Sequence, residues 1–174
     1  ACEGNQLTVL ELGTLIQLQT LDCSGNQLTT LDVSAQKQLE TLRCMENHLI
    51  ALDVTGLSKL QRVEVIDNTR SIPFNAMGQV DLSALADGFQ PSKVQPDMWQ
   101  NATCTENVLT VNDRSQEIRY AYQIDAGDAS RTVSFTWIPT VMEEDAVAID
   151  AEHFPDDVLR AFVLQSLDLS LIHI

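Results

Sequence analysis

The chain has 174 residues, with 25 acidic and 10 basic side chains and a formal net charge of −15. That length allows one or two small domains with enough apolar surface for a core. The acidity argues against nucleic acid as a partner, because phosphate binding needs clustered Lys and Arg, and equally against electrostatic attachment to an anionic membrane surface. No apolar run reaches the roughly 18 residues of a spanning helix, so no membrane insertion is expected of this stretch. The charge is uneven: residues 1–74 and 75–138 each carry −4, whereas residues 139–174 set a single Arg160 against 8 acids.

A repeat dominates the first 74 residues. Cys2, Cys23 and Cys44 lie 21 apart, and Val65 takes the next place. Asn5, Asn26, Asn47 and Asn68 share the period, as do Leu7, Leu28 and Leu49; Leu10, Leu31 and Leu52; Leu12, Val33 and Val54; Leu18, Leu39 and Leu60; and Leu21, Leu42 and Val63. The segment Leu18-x-x-Leu21-x-Cys23-x-x-Asn26-x-Leu28 is the leucine-rich-repeat form L-x-x-L-x-C-x-x-N-x-L. Its physics predicts inward Leu, Val and Cys stacked into ribs, with each Asn amide bonding backbone groups that a turn leaves unpaired. The thiols of the array are therefore expected to be buried and unpaired, not disulfides or metal ligands, since the close C-x₂-C spacing of a zinc site is absent. Cys104 stands outside the array and its state is open.

The blocks Leu21-Asp22-Cys23-Ser24-Gly25-Asn26-Gln27-Leu28-Thr29-Thr30-Leu31-Asp32-Val33-Ser34 and Leu49-Ile50-Ala51-Leu52-Asp53-Val54-Thr55 resemble bacterial surface leucine-rich-repeat proteins of the internalin-like and BspA-like kind. The resemblance covers residues 1–74 and speaks to fold more than to ligand. It implies a secreted or cell-surface location. The pattern degrades where Arg70 and Pro73 replace Leu, as at a cap.

Residues 75–100 read as a connector, with a short helical turn at Asp81–Ala86. Beyond 102 the period becomes two. Val108–Val111 is a short strand; Ile118, Tyr120, Tyr122 and Ile124 alternate with polar residues, as do Val133, Phe135 and Trp137. The turn-rich 125–130 joins the last two into a hairpin. The four aromatics could stack sugars, but strict alternation favours core packing. Similar β segments follow the repeats in the proteins this chain resembles, which implies a capping role. An acidic linker, 139–148, leads to a helix start at Pro155-Asp156-Asp157, with Phe154, Val158 and Phe162 on one face. This helix resembles the opening of a further unit in the same proteins. The ending Leu169–Ile174 resembles translated sequencing adapter and is set aside. With a start inside a repeat, the chain reads as a fragment.

The expected fold is thus mainly β: a leucine-rich-repeat solenoid of 21-residue repeats over 1–74, N-terminally truncated, then a connector and small antiparallel β cap over 75–138, and an acidic linker with a short C-terminal helix over 139–168. No catalytic constellation is found, so the chain is not expected to be an enzyme, and no cofactor or metal is expected. His48 reads as surface decoration and His153 as helix-start capping; His173 lies in the set-aside tail. Glu143-Glu144-Asp145 and Asp156-Asp157 read as solvated charge, and Asn101-Ala102-Thr103 is a glycosylation triplet by pattern alone.

The remaining candidate is the concave strand face, where residues alternating with the inward Leu and Cys point outward. They are Thr20, Asp22 and Ser24; Thr41, Arg43 and Met45; and Arg62, Glu64 and Ile66, with Ala1 and Glu3 from the first coil. Arg, Met and aliphatic groups toward the cap suit an interface centre. A bare scaffold surface is the competing reading. Three functions stay open: a non-catalytic adhesion or interaction module for a protein or host-surface partner, a structural spacer in a longer array, and an accessory region of a carbohydrate-active enzyme or peptidase. The first expects Arg43→Glu with Arg62→Glu to abolish binding and leave folding intact.

Overall fold

The computed structural model describes residues 1–85, 88–126 and 129–141. Among these described residues ten strands fall in three sheets. The first is parallel and three-stranded: β1 (Thr20–Asp22), β2 (Thr41–Arg43) and β3 (Arg62–Glu64). The second is mixed, in the order β4 (Thr69–Phe74), β10 (Ala129–Val141), β9 (Ile118–Ala126), β6 (Trp99–Gln100). The third is antiparallel, in the order β5 (Gln79–Asp81), β8 (Val108–Val111), β7 (Ala102–Thr105).

The 21-residue columns set the register of the first sheet: Thr20 pairs Thr41 and Thr41 pairs Arg62, with Leu21, Leu42 and Val63 beneath them. Cys23, Leu28, Leu39, Leu42, Cys44 and Leu49 are wholly buried along these columns. The asparagines do what their turns require. Asn47 Oδ1 accepts from the Leu28 N–H at 3.0 Å, while its Nδ2 donates to the Cys23 and Met45 carbonyls at 3.1 and 2.9 Å. Asn26 and Asn68 repeat the pattern on Leu7 and Leu49. Just before each Asn the chain turns through positive φ, at Gly4 and Gly25 and then at Glu46 (52°) and Asp67 (58°). At those last two places a carboxylate side chain stands where glycine fits without strain.

The two long strands carry the rest of the core. β9 and β10 form a hairpin whose register closes at Ala126 against Ala129. Their inward residues, Tyr120, Tyr122, Phe135 and Trp137, are at most 2% exposed, so the aromatics pack the core instead of forming a sugar-stacking face. Phe89 reaches into this cluster, with its ring centre 5.5 Å from Trp137 and 5.8 Å from Tyr120. The Tyr120 hydroxyl donates to the Ile50 carbonyl at 2.5 Å, tying the aromatic cluster to the third coil. The Thr136 N–H donates to the Asn68 carbonyl at 3.0 Å, and Arg131 Nη1 donates to the Gln61 carbonyl at 2.8 Å. One apolar core therefore runs through all three sheets.

This corrects the expected fold class. Among the described residues a leucine-rich-repeat solenoid followed by an antiparallel cap is not the architecture; they form a mixed, three-sheet β fold nearer a small β-sandwich. The repeat supplies only three-residue strands, whereas β9 and β10 span nine and thirteen residues. At Arg70 and Pro73 the periodic segment leaves its ladder and runs parallel to β10, Thr69 opposite Thr136 and Phe74 opposite Val141. Pro73 is tolerated because β4 is an edge strand, where a missing N–H breaks no ladder. The unit after the repeat is consequently not purely antiparallel. Among the described residues the only helical turns are the 3₁₀ segments Leu82–Ala84, Pro91–Lys93 and Pro96–Met98. Asp81 caps the first by accepting from the Ser83 N–H at 2.8 Å. The expected helix after Pro155, the linker before it and the segment 169–174 lie outside the described residues.

Candidate functional site

The three parallel strands place the nine expected face residues in three rows. Thr20, Thr41 and Arg62 form one; Asp22, Arg43 and Glu64 the next; Ser24, Met45 and Ile66 the third. The third row is held by the Gly25 N–H donating to the Met45 carbonyl and the Glu46 N–H to the Ile66 carbonyl, at 3.0 and 3.1 Å.

The middle row is an ion-pair ladder. Arg43 lies between two carboxylates, its Nε 2.8 Å from Glu64 Oε2 and its Nη1 3.7 Å from Asp22 Oδ2. Arg62 pairs with the second oxygen of Glu64. Hydrogen bonding by Arg62, with Arg43 adding to it, holds the Glu64 carboxyl below its usual range. At Asp22 burial pulls the pKa up, but bonds from Ser24 and the charge of Arg43 outweigh it, and the net shift is downward. Opposite charges directly across strands stabilise a sheet, less so where solvent screens them. Both arginines of the face are thus engaged within it. The sequence predicts them as its interaction centre, but a double change to Glu would gather four carboxylates and disturb the ladder itself. The signal was present in the sequence, because residues 22, 43 and 64 share one 21-residue column.

The exposed apolar group of the face is Ile66, at 58%. It opens onto a groove of about 660 Å³ between the ladder's last turn and the outer face of β9 and β10. Met98, 42% exposed, lines the same groove. Asp67, Asp97, Glu117 and Arg119 supply its charge. Arg119 is held by Glu117 at 2.9 Å, whereas Asp67 and Asp97 have no ion-pair partner among the described residues. Sequence reasoning missed this groove because its walls come from four segments, around residues 66–69, 97–100, 117–121 and 134–136.

The remaining candidates have structural roles. His48 is exposed, its Nδ1 2.7 Å from the Thr69 carbonyl; that oxygen only accepts, so the nitrogen donates. All four cysteines are free. Burial pushes the Cys23 thiol up to about 12 and Cys44 higher still, while Cys104 is half-buried and also raised by burial. Asn101 Nδ2 donates to the Asp113 and Gln116 carbonyls at 2.7 and 3.0 Å, and its Oδ1 accepts from the Asp113 N–H. Both amide hydrogens are thus occupied at the nitrogen a glycan would take. His153, His173 and the acidic residues after 141 lie outside the described residues. Among the described residues no three His, Cys, Asp or Glu side chains gather as a metal site would need, and no helix is long and apolar enough to cross a membrane. No protein-family model and no curated protein matches the chain.

Proposed function

We propose that the chain is a non-catalytic binding module that engages a protein or cell-surface partner through the ladder face and the groove beside it. The carrying observation is the ladder face running into the groove, which is lined by the exposed Ile66 and Met98. Thr20, Asp22, Thr41, Arg43, Arg62 and Glu64 stand on paired strands, so that part of the face orders few groups on binding. Exposed aliphatic and Met side chains with a polar rim match the make-up of an interface centre. A secreted or bacterial-surface setting follows from the resemblance of the repeat blocks and belongs to the same proposal.

The test is selection from a displayed library of peptides and ectodomains against the full chain, followed by Ile66→Asp. Because Ile66 is exposed and outside the ion-pair ladder, the variant should unfold at the same urea concentration as the parent. Selected clones should lose at least tenfold in affinity for it. Clones that bind both proteins equally would remove the face from the proposal. A library that yields no clone would favour a spacer role instead.

A further inference from the structure

We infer that the groove receives an extended segment of a partner in which a Lys or Arg side chain is flanked by aliphatic ones. This rests on the binding-module reading and specifies the partner's chemistry. The charge around the groove is one-sided. Arg119 is spent on Glu117, and Arg43 and Arg62 are spent on Asp22 and Glu64. Among the described residues Asp67 and Asp97 have no ion-pair partner, and they line the same groove as Ile66 and Met98.

A wholly apolar occupant would cover those carboxylates without a counter-charge and lose their hydration. An anionic occupant would meet like charge. A second copy of this chain, at −15, would be repelled over most approaches. A cation between aliphatic neighbours satisfies both features at once: its charge meets Asp67 and Asp97, and its neighbours cover Ile66 and Met98. The volume of about 660 Å³ falls within the range of ligand clefts, on the order of 300–1,000 Å³. Ser134, Thr136 and Gln100 on its walls offer neutral hydrogen-bonding groups to the segment's backbone.

The probes are three octapeptides alternating Val with Lys, Ser or Glu, titrated into full-length protein labelled at the Ile and Met methyls. The Lys peptide should shift the Ile66 and Met98 methyl signals, with the Ser peptide at least tenfold weaker and the Glu peptide silent. Asp67→Asn with Asp97→Asn should weaken the Lys peptide by about tenfold. Glu11→Gln with Glu106→Gln, which removes two exposed charges that do not line the groove, should weaken it less than twofold. Equal weakening by both pairs would assign binding to the general field of the chain and overturn the inference. Ser or Glu peptides binding as tightly, with the same methyls shifted, would also overturn it while leaving the binding-module reading standing. If no peptide moves either methyl and the selected clones ignore Ile66→Asp, both fall.

Discussion

Replacing Asn47 with Ala should be among the most damaging polar substitutions in the chain. Asn47 is 2% exposed, and its Oδ1 is the acceptor for the N–H of Leu28, itself wholly buried. Truncation leaves that N–H without a partner and without water, at a cost of about 1–3 kcal/mol. The Cys23 carbonyl keeps its 2.9 Å bond from Asn26, so it is weakened and not orphaned. Loss there and at the Met45 carbonyl adds about 1 kcal/mol. The expected total is about 2–4 kcal/mol, a large share of the ~5–15 kcal/mol that separates folded from unfolded domains. Asn5 is the internal control, because it is exposed and donates only within its own coil, to the Cys2 and Glu3 carbonyls at 3.1 Å. Asn5→Ala should cost under about 1 kcal/mol. Asn47→Asp keeps the acceptor but sets a carboxylate against two carbonyls. Burial disfavours its charged form, so that variant should gain stability as the pH is lowered and lose it as the pH rises. Urea unfolding, followed by far-ultraviolet circular dichroism and by the fluorescence of buried Trp99 and Trp137, measures all three. An Asn47→Ala midpoint no lower than that of Asn5→Ala would refute the argument that the ladder amides satisfy otherwise stranded backbone groups.

Tyr120→Phe removes the donor to the buried Ile50 carbonyl while keeping the ring, and should lower unfolding free energy by about 1–3 kcal/mol in the same urea assay. Labelling with a thiol reagent at pH 8 should modify Cys2 and Cys104 in the native protein, and Cys23 and Cys44 only in denaturant, because burial both shields the latter two and suppresses their thiolates. Asp32 and Asp53 each accept from a residue two positions on, Ser34 and Thr55, and those bonds hold their carboxyls below the usual aspartate range. Their contribution is complete above about pH 4 and is lost as the pH falls through the lowered folded-state values, so the urea midpoint should drop on acidification. Asp53→Ala should make that acid limb shallower, and an unchanged slope would show that the turn bond carries no linkage.

The repeat columns were legible because three parallel strands in 21-residue register impose one environment on every twenty-first residue. Cys23, Cys44, Leu28 and Leu49 are buried, and the Asn amides bond across coils, as that periodicity requires. The period of two after residue 102 likewise marked Tyr120, Tyr122, Phe135 and Trp137 as inward-facing. The same column logic held the Asp22–Arg43–Glu64 ladder, though reading the arginines one at a time as interaction groups hid it.

What periodicity cannot encode is which strand lies beside which when their separation is long and irregular. The parallel pairing of Thr69–Phe74 with Thr136–Val141 follows no repeat, and it turns the expected stacked array with a separate cap into a mixed, three-sheet fold. The groove depends on that pairing, since it brings the turn at Ile66 and Asp67 against the outer face of β9 and β10. By itself the sequence determined which side chains face inward, because alternation and period are local. Only the tertiary structure decided which charges are already neutralised and where an unpaired pair of carboxylates meets exposed aliphatic groups, because those follow from distances between segments far apart in the chain.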